Sequence, residues 1–171
     1  FHTLDGLGLK MLQAAGVEFH SGSDTEVLLA AYREWGEDCL ERLNGMFAFL
    51  VFDRREGSLF GARDRLGEKP LYFWQDAEWT VLASEPRAIG ATGLVTLRPA
   101  WPRVVAALRE GTMDHAGGTC LEGIHQLPAG HRVSIDRAGA LRACAYWTLP
   151  TATADARGRS DEEWIDELAA L

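Results

Sequence analysis

No run of lysine or arginine occurs anywhere in the chain, so it has no patch able to neutralise successive phosphates of a nucleic acid. The balance runs the other way, with 17 Lys and Arg against 25 Asp and Glu and a net charge of −8, which is a statement about solubility. Long apolar runs are missing too. The longest, Gly45 to Phe52, is far short of the roughly 20 residues a helix needs to cross a bilayer. No basic segment followed by an apolar one opens the chain, so no secretory leader is read. Cysteine is scarce: Cys39, Cys120 and Cys144 are odd in number and widely spaced. They make neither a disulfide framework nor a metal knuckle and point to a reducing compartment, the cytoplasm.

Several chemistries are excluded in the same way. The histidines (His2, His20, His115, His125, His131) lack the i, i+4 pairing around a Glu that a zinc helix needs, so no metal site is expected. Gly6-Leu-Gly8 has no third glycine and no strand before it, and reads as a weak helix. Gly67-Glu-Lys69-Pro70 has no Ser or Thr after the lysine and no helix to follow, so it is not a phosphate loop. Asp114-His115 stands in a glycine-rich loop with no nucleophile in its sequence neighbourhood.

What is present suits a globular domain: 171 residues, 47% hydrophobic and 25% charged, room for one domain and the edge of a second. Leu4 to Ala15 has helical spacing, weakened by Gly6 and Gly8. A better helix starts at Ser23, where Ser23 and Glu26 read as a capping box, and ends at Gly36. From Met46 the period changes. Met46 to Phe52 reads as a strand buried on both faces, and Leu59–Ala62, Leu71–Trp74 and Trp79–Ala83 continue it as an antiparallel meander. Glu85 to Ile89 reads as a helical turn. Pro99 and Pro102 frame a short helix through Val104, Val105 and Leu108 that stops at Gly111, followed by a loop. His131–Ile135 and Leu141–Trp147 form a hairpin around Arg137-Ala-Gly139. Helices flanking antiparallel strands predict an α+β layered domain.

Both ends read as cut. The first residue is Phe1. At the other end Ser160 and Glu163 form a capping box for a helix whose apolar face carries Trp164, Ile165, Leu168 and Leu171, and such a face expects more protein to cover it. Asp24, directly after the Ser23 cap, is sufficiently explained as an anion at a helix N-terminus, worth about 0.3–1 kcal/mol.

Five strings then carry a resemblance. Ser23-Asp-Thr-Glu-Val-Leu-Leu29, Leu43-Asn-Gly-Met-Phe-Ala-Phe49, Ala62-Arg-Asp-Arg-Leu-Gly67 with Lys69-Pro-Leu-Tyr72, Ala83-Ser-Glu85 and Leu127-Pro-Ala-Gly130 occur in one order, with Tyr146-Trp147 before a proline-containing linker. Together they resemble the class II (type 2) glutamine amidotransferase domain of glutamine-hydrolysing asparagine synthases, collinear over most of positions 17–171. The resemblance implies a four-layer αββα sandwich of antiparallel sheets of the N-terminal-nucleophile (Ntn) hydrolase kind, incomplete here. Residues 1–148 would be a partial amidotransferase domain, 149–159 a linker, and 160–171 the first helix of an asparagine-synthase-type domain continuing beyond the chain.

In that family an N-terminal cysteine thiolate attacks the glutamine side-chain amide, with its own α-amine as base. Ammonia then passes to a synthetase domain that uses ATP and magnesium to amidate aspartate. By the same resemblance the arginine that grips the glutamine carboxylate and the Asn-Gly oxyanion pair lie upstream of Phe1. No catalytic residue transfers, because Phe1 is no nucleophile and the three cysteines are internal. Asp24 does transfer, as the ligand of the glutamine α-ammonium. Arg63, Asp64, Arg65 and Gly67 are expected to brace a turn, and Ser84 and Glu85 to cap one. The expected partners are L-glutamine and a synthetase domain in cis, with homodimerisation open and neither nucleic acid nor membrane involved. No cofactor is expected in this chain, which alone would be inactive. A scaffold domain that never had the nucleophile, in a related ATP-dependent amide-forming synthetase, and another class II amidotransferase are the alternatives. The stretch Gly90 to Gly118 departs from the family's pattern and leaves the subfamily and final acceptor open.

Overall fold

Ser23 holds an extended backbone and its hydroxyl accepts from the Thr25 N–H at 3.2 Å, which starts a helix at the residue the sequence indicates. The computed structural model, which describes residues 6–111, 118–150, 160 and 163–165, places this helix, α2 (Asp24–Trp35), after a shorter α1 (Gly6–Ala14). A 3₁₀ turn (Gly36–Glu41) follows. The reciprocal half of the expected cap is different. Glu26 accepts from the N–H groups of His20 and Ser21, both at 2.8 Å, and from the Ser21 hydroxyl. The bend at Ser21-Gly22 lays the incoming chain over the first helical turn, so the carboxylate meets it there, and these bonds, His20 first, hold the Glu26 carboxyl below its usual range. Phe1-His2, the Leu4 start of the first helix, Asp114-His115, residues 151–159, Leu168 and Leu171 lie outside the described residues.

The strands do not form one meander. β1 (Ala48–Asp53) and β2 (Ser58–Arg63) pair as a hairpin, but β2 then pairs with β6 (His131–Ile135), which pairs with β7 (Leu141–Ala145), giving the order β1-β2-β6-β7. β3 (Tyr72–Gln75) lies between β4 (Thr80–Ala83) and the short β5 (His125–Gln126) in a second antiparallel sheet. Between β2 and β3 the chain leaves the first sheet at Asp64. The Asp136 carboxylate closes the β6–β7 hairpin by accepting from the Ala138 and Ala140 N–H groups.

Side-chain packing orders the layers. Leu12, Ala31, Leu40, Leu43 and Phe60 are buried between the first two helices and the larger sheet, with Tyr32 stacked on Phe60 at 5.4 Å. Leu71, Leu127 and Val133, with Ala48, Leu82 and Leu141 against them, fill the space between the two sheets. On the far side of the smaller sheet, α3 (Pro86–Ala91) packs on β3 and β4 and buries Ile89. Helix, sheet, sheet, helix is the α+β sandwich expected. Each fully buried Leu, Ile, Val or Phe among these contributes roughly 1.5–3 kcal/mol. α4 (Trp101–Glu110) ends at Gly111 as expected, but it buries none of its residues, and Leu108 is 81% exposed.

One expectation for the central strand fails. β1 is an edge strand and is not buried on both faces: Leu50 is 40% exposed and Phe52 62%. Alternation puts them on the same face as Ala48, toward the second sheet, which covers Ala48 and reaches no further. Leu50 instead closes over Gly61, its cross-strand partner. A Cβ on Gly61 would stand 2.7 Å from the Phe49 carbonyl oxygen, a backbone atom that cannot rotate away. Gly61→Ala is therefore expected to lower stability by about 1–3 kcal/mol, read as a reduced urea midpoint with an unchanged m-value. An unaltered midpoint would contradict the close approach.

Candidate functional site

Arg63 and Asp64 end β2 as buried charges, and each is satisfied by backbone rather than by the other. The Asp64 carboxylate accepts from the N–H groups of Lys69 (2.9 Å), Glu68 (3.0 Å), Leu66 (3.2 Å) and Phe47 (3.3 Å). The Arg63 guanidinium donates to the carbonyls of Lys69 (2.7 Å), Leu127 (2.8 Å) and Gly67. The expected brace is real, and wider than a turn. The Asp64 carbonyl takes the Gly130 N–H, the Gly130 carbonyl takes those of Tyr146 and Trp147, and the Tyr146 hydroxyl donates to the Arg63 carbonyl at 3.0 Å. Gly67 sits at φ +70°, and a Cβ there would lie 2.9 Å from the Arg63 guanidinium carbon. Arg65 stands outside the network and, among the described residues, hydrogen-bonds only the Glu41 carbonyl, at 3.4 Å.

This junction fixes one wall of a cleft of about 350 Å³. Phe47, tied to Asp64 through both its N–H and its carbonyl, lies on the floor with Phe49, Leu28 and Met46. Lys69 and Pro70 form the wall before β3. Asp24 and Thr25, in the first turn of α2, also line it, as does Ser84 just after β4. The side chains of Asp24, Thr25, Lys69 and Ser84 are exposed and have no hydrogen-bond or ion-pair partner among the described residues. An open cleft with an apolar floor and charged groups of both signs on its rim suits a small zwitterion.

Asp24 thus lies in the cleft. Ser84 lines it rather than capping a turn. Glu85 does occupy the N-cap position of α3, but its carboxylate turns to the Arg87 guanidinium and makes no capping bond. Lys69 lines the cleft too, a place that motif reading did not assign: Gly67-Glu-Lys69-Pro70 served only to exclude a phosphate loop, and Lys69-Pro-Leu-Tyr72 to carry the family likeness. Cys39 is wholly buried beneath α2, and burial with Asp38 and Glu37 nearby pushes its thiol up to about 11, so it presents no thiolate at neutral pH. Among the described residues no group of three His, Cys, Asp or Glu side chains comes together to hold a metal ion.

Layering and cleft place the chain in the Ntn-type α+β amidotransferase fold class. The solved glutamine phosphoribosylpyrophosphate amidotransferase from B. subtilis with ADP and GMP superposes with a TM-score of 0.58 at 20% identity, over 84% of this chain and 27% of that one. Residues 9–147 match the glutamine amidotransferase domain, and the chain belongs to that family. It is 36% identical over 140 residues to the glutamine-hydrolyzing asparagine synthetase 3 of Bacillus subtilis, covering 82% of this chain and 23% of that protein. The amidase chry2 of Gibberella zeae is 29% identical over 150 residues, covering 88% and 22%. The chain thus spans less than a quarter of the length of these curated relatives.

Two measurements test the site's architecture. Asp64→Ala strands buried N–H groups and is expected to cost about 3–5 kcal/mol, whereas Asp24→Ala, on the exposed rim, is expected to cost less than about 1 kcal/mol. Equal losses in denaturant titrations would dissolve the distinction between brace and rim. The second concerns alkali. Burial raises Tyr146 from 10.0 to about 12, and Cys39 rises from 9.0 to about 11. The folded state keeps both protons to higher pH than the unfolded chain does. Stability is therefore full below about pH 9 and falls as pH climbs toward about 12. Combining Tyr146→Phe with Cys39→Ala should flatten that slope, whatever it does to stability at neutral pH.

Proposed function

We propose that this chain is the glutamine-binding part of a longer glutamine-dependent asparagine synthase-like enzyme, with Asp24 as the ligand of the glutamine α-ammonium. One observation carries the reading: in a chain of this family, the Asp24 carboxylate, without a partner among the described residues, stands on the rim of an apolar-floored cleft anchored by the buried Arg63–Asp64 junction. Such a carboxylate favours an ammonium over a neutral group by charge and by direct hydrogen bonding. The nucleophile is not supplied by Phe1, nor by Cys39, Cys120 or Cys144, which carry no α-amine. A cysteine upstream of Phe1 would provide it. Strands from that upstream segment would also cover Leu50 and Phe52, which the second sheet leaves open.

Downstream, we assign 149–159 to a linker and 160–171 to the opening helix of a synthetase domain acting in cis. The Ser160 N–H donates to Glu163 at 2.8 Å and the Glu163 N–H to the Ser160 hydroxyl at 3.3 Å, a complete capping box, and Ile165 beyond it is 65% exposed. We assign ATP and magnesium to that synthetase domain, as the likeness to asparagine synthases implies. No helix among the described residues is long and apolar enough to cross a membrane, which suits the cytoplasmic location we assign. The purified 171-residue chain is expected to release no ammonia from glutamine. In the longer enzyme, Asp24→Asn should raise the glutamine KM by about tenfold or more while ammonia-dependent synthesis keeps its rate. Parallel loss of both activities would reduce Asp24 to a structural residue.

A further inference from the structure

Three segments remote in sequence meet where Asp64 leaves β2. The Asp64 carbonyl accepts the Gly130 N–H at 2.9 Å, and the Gly130 carbonyl accepts those of Tyr146 at 2.9 Å and Trp147 at 3.1 Å. Each segment carries exposed apolar residues close to that junction. Leu66 is 71% exposed, Ala129 is exposed, and Leu149 is 73% exposed with Pro150 after it. Two residues of chain reach at most about 7 Å, so Leu66, Ala129 and Leu149 are all anchored near one point. The segments also press on each other. A Cβ on Gly67 would lie 3.0 Å from the Ala129 Cβ, and one on Gly130 would lie 2.6 Å from the Trp147 carbonyl oxygen. Single exposed leucines need no explanation, but these are gathered by the main chain. The backbone beneath them is fixed: the Leu66 N–H is held by the Asp64 carboxylate and the Gly67 carbonyl by the Arg63 guanidinium. A loop pinned by two buried charges thus displays a leucine to solvent, and covering it orders no further backbone.

We infer that the surface around Leu66, Ala129, Leu149 and Pro150 is where the synthetase domain of the same polypeptide packs back on the amidotransferase domain. The inference rests on the longer enzyme proposed above. The choice of occupant follows from the exit of the chain. Leu149 and Pro150 belong to the surface and open the linker, and the chain covers only 23% of its asparagine synthetase relative. A linker over 149–159 reaches at most about 40 Å, which keeps the following domain near. At the effective concentration of a tethered domain, roughly millimolar, a small apolar contact is enough. A second copy of the chain would need about 800 Å² and 20–30 residues from each partner, far more than this surface offers. The loop that displays Leu66 ends at Lys69 and Pro70, which line the cleft. A domain seated on Leu66 is therefore held in register with the cleft wall.

The test uses the longer enzyme. Leu66→Asp is expected to lower glutamine-dependent synthesis about tenfold, while glutamine hydrolysis and ammonia-dependent synthesis keep their rates. Leu149→Asp should act in the same direction, and Leu66→Met should restore the coupling. A photoreactive benzoylphenylalanine in place of Leu66 should cross-link to peptides from beyond residue 171, in a product that keeps the mass of one chain. A cross-linked product of twice that mass, no cross-link beyond residue 171, or a Leu66→Asp enzyme with unchanged coupling overturns the docking surface and leaves the proposed function standing. Loss of all three activities together in Leu66→Asp also overturns it, since the residue is then needed for the fold. An unaltered longer enzyme that makes no amide from glutamine overturns the proposed function, and the docking surface with it.

Discussion

The carboxylate of Asp64, 1% exposed and accepting from four backbone N–H groups, is the point on which the rest of the molecule turns. A buried carboxylate without partners would cost several kcal/mol, but an ionised carboxylate has only acceptor sites and can take several donors at once. No neutral side chain offers as many acceptor positions in so small a volume. Its donors come from the start of β1 and from the loop that leads to β3, so one side chain joins the first sheet to the chain's exit toward the second. Arg63 does the complementary work with carbonyls, one of them at Leu127 in the approach to β6. Several of the strings by which the chain resembles its family converge on this point: Phe47, Arg63, Asp64, Leu66 to Lys69, Leu127, Gly130, and Tyr146 with Trp147 are members of the same network.

What could be read without coordinates follows from range. α2, the α4 stop at Gly111 and the hairpin at Asp136 to Gly139 are decided by residues within a few positions of each other, and they form where expected. The division into two sheets is decided by where Arg63 and Asp64 send the chain, through bonds to residues as distant as Leu127, and no local pattern reports that. The same holds for Leu50 and Phe52: an apolar run signals a strand, but how much of each face is covered depends on the extent of the opposing sheet. Glu26 shows a subtler failure, since the spacing to Ser23 was right and the bend before the helix redirected the side chain. Only family likeness singles Asp24 out in the sequence. Its local signal, an acid in a first helical turn, is common to countless helices.

Within the domain, display and support are carried by different residues. The polar side chains that line the cleft, Asp24, Thr25, Lys69 and Ser84, are exposed and without partners among the described residues, while Arg63 and Asp64, which hold it, are buried and bonded to main chain. The thiol of Cys39 belongs to the second set, withheld from chemistry by the same packing that places α2 over the larger sheet. Such a division lets rim side chains change with the ligand while the frame stays constant.

The contact between Tyr146 and Arg63 joins residues 83 positions apart, and that between Arg63 and Leu127 spans 64. Closing a loop of that length costs about 4 kcal/mol of chain entropy before any bond is made. The hairpins and α2 need no such closure and can form first, whereas the wall of the cleft exists only when distant thirds of the polypeptide have met. The wall of the cleft is thus the most non-local part of the domain, and it cannot be complete until the residues around Tyr146 have been synthesised and docked.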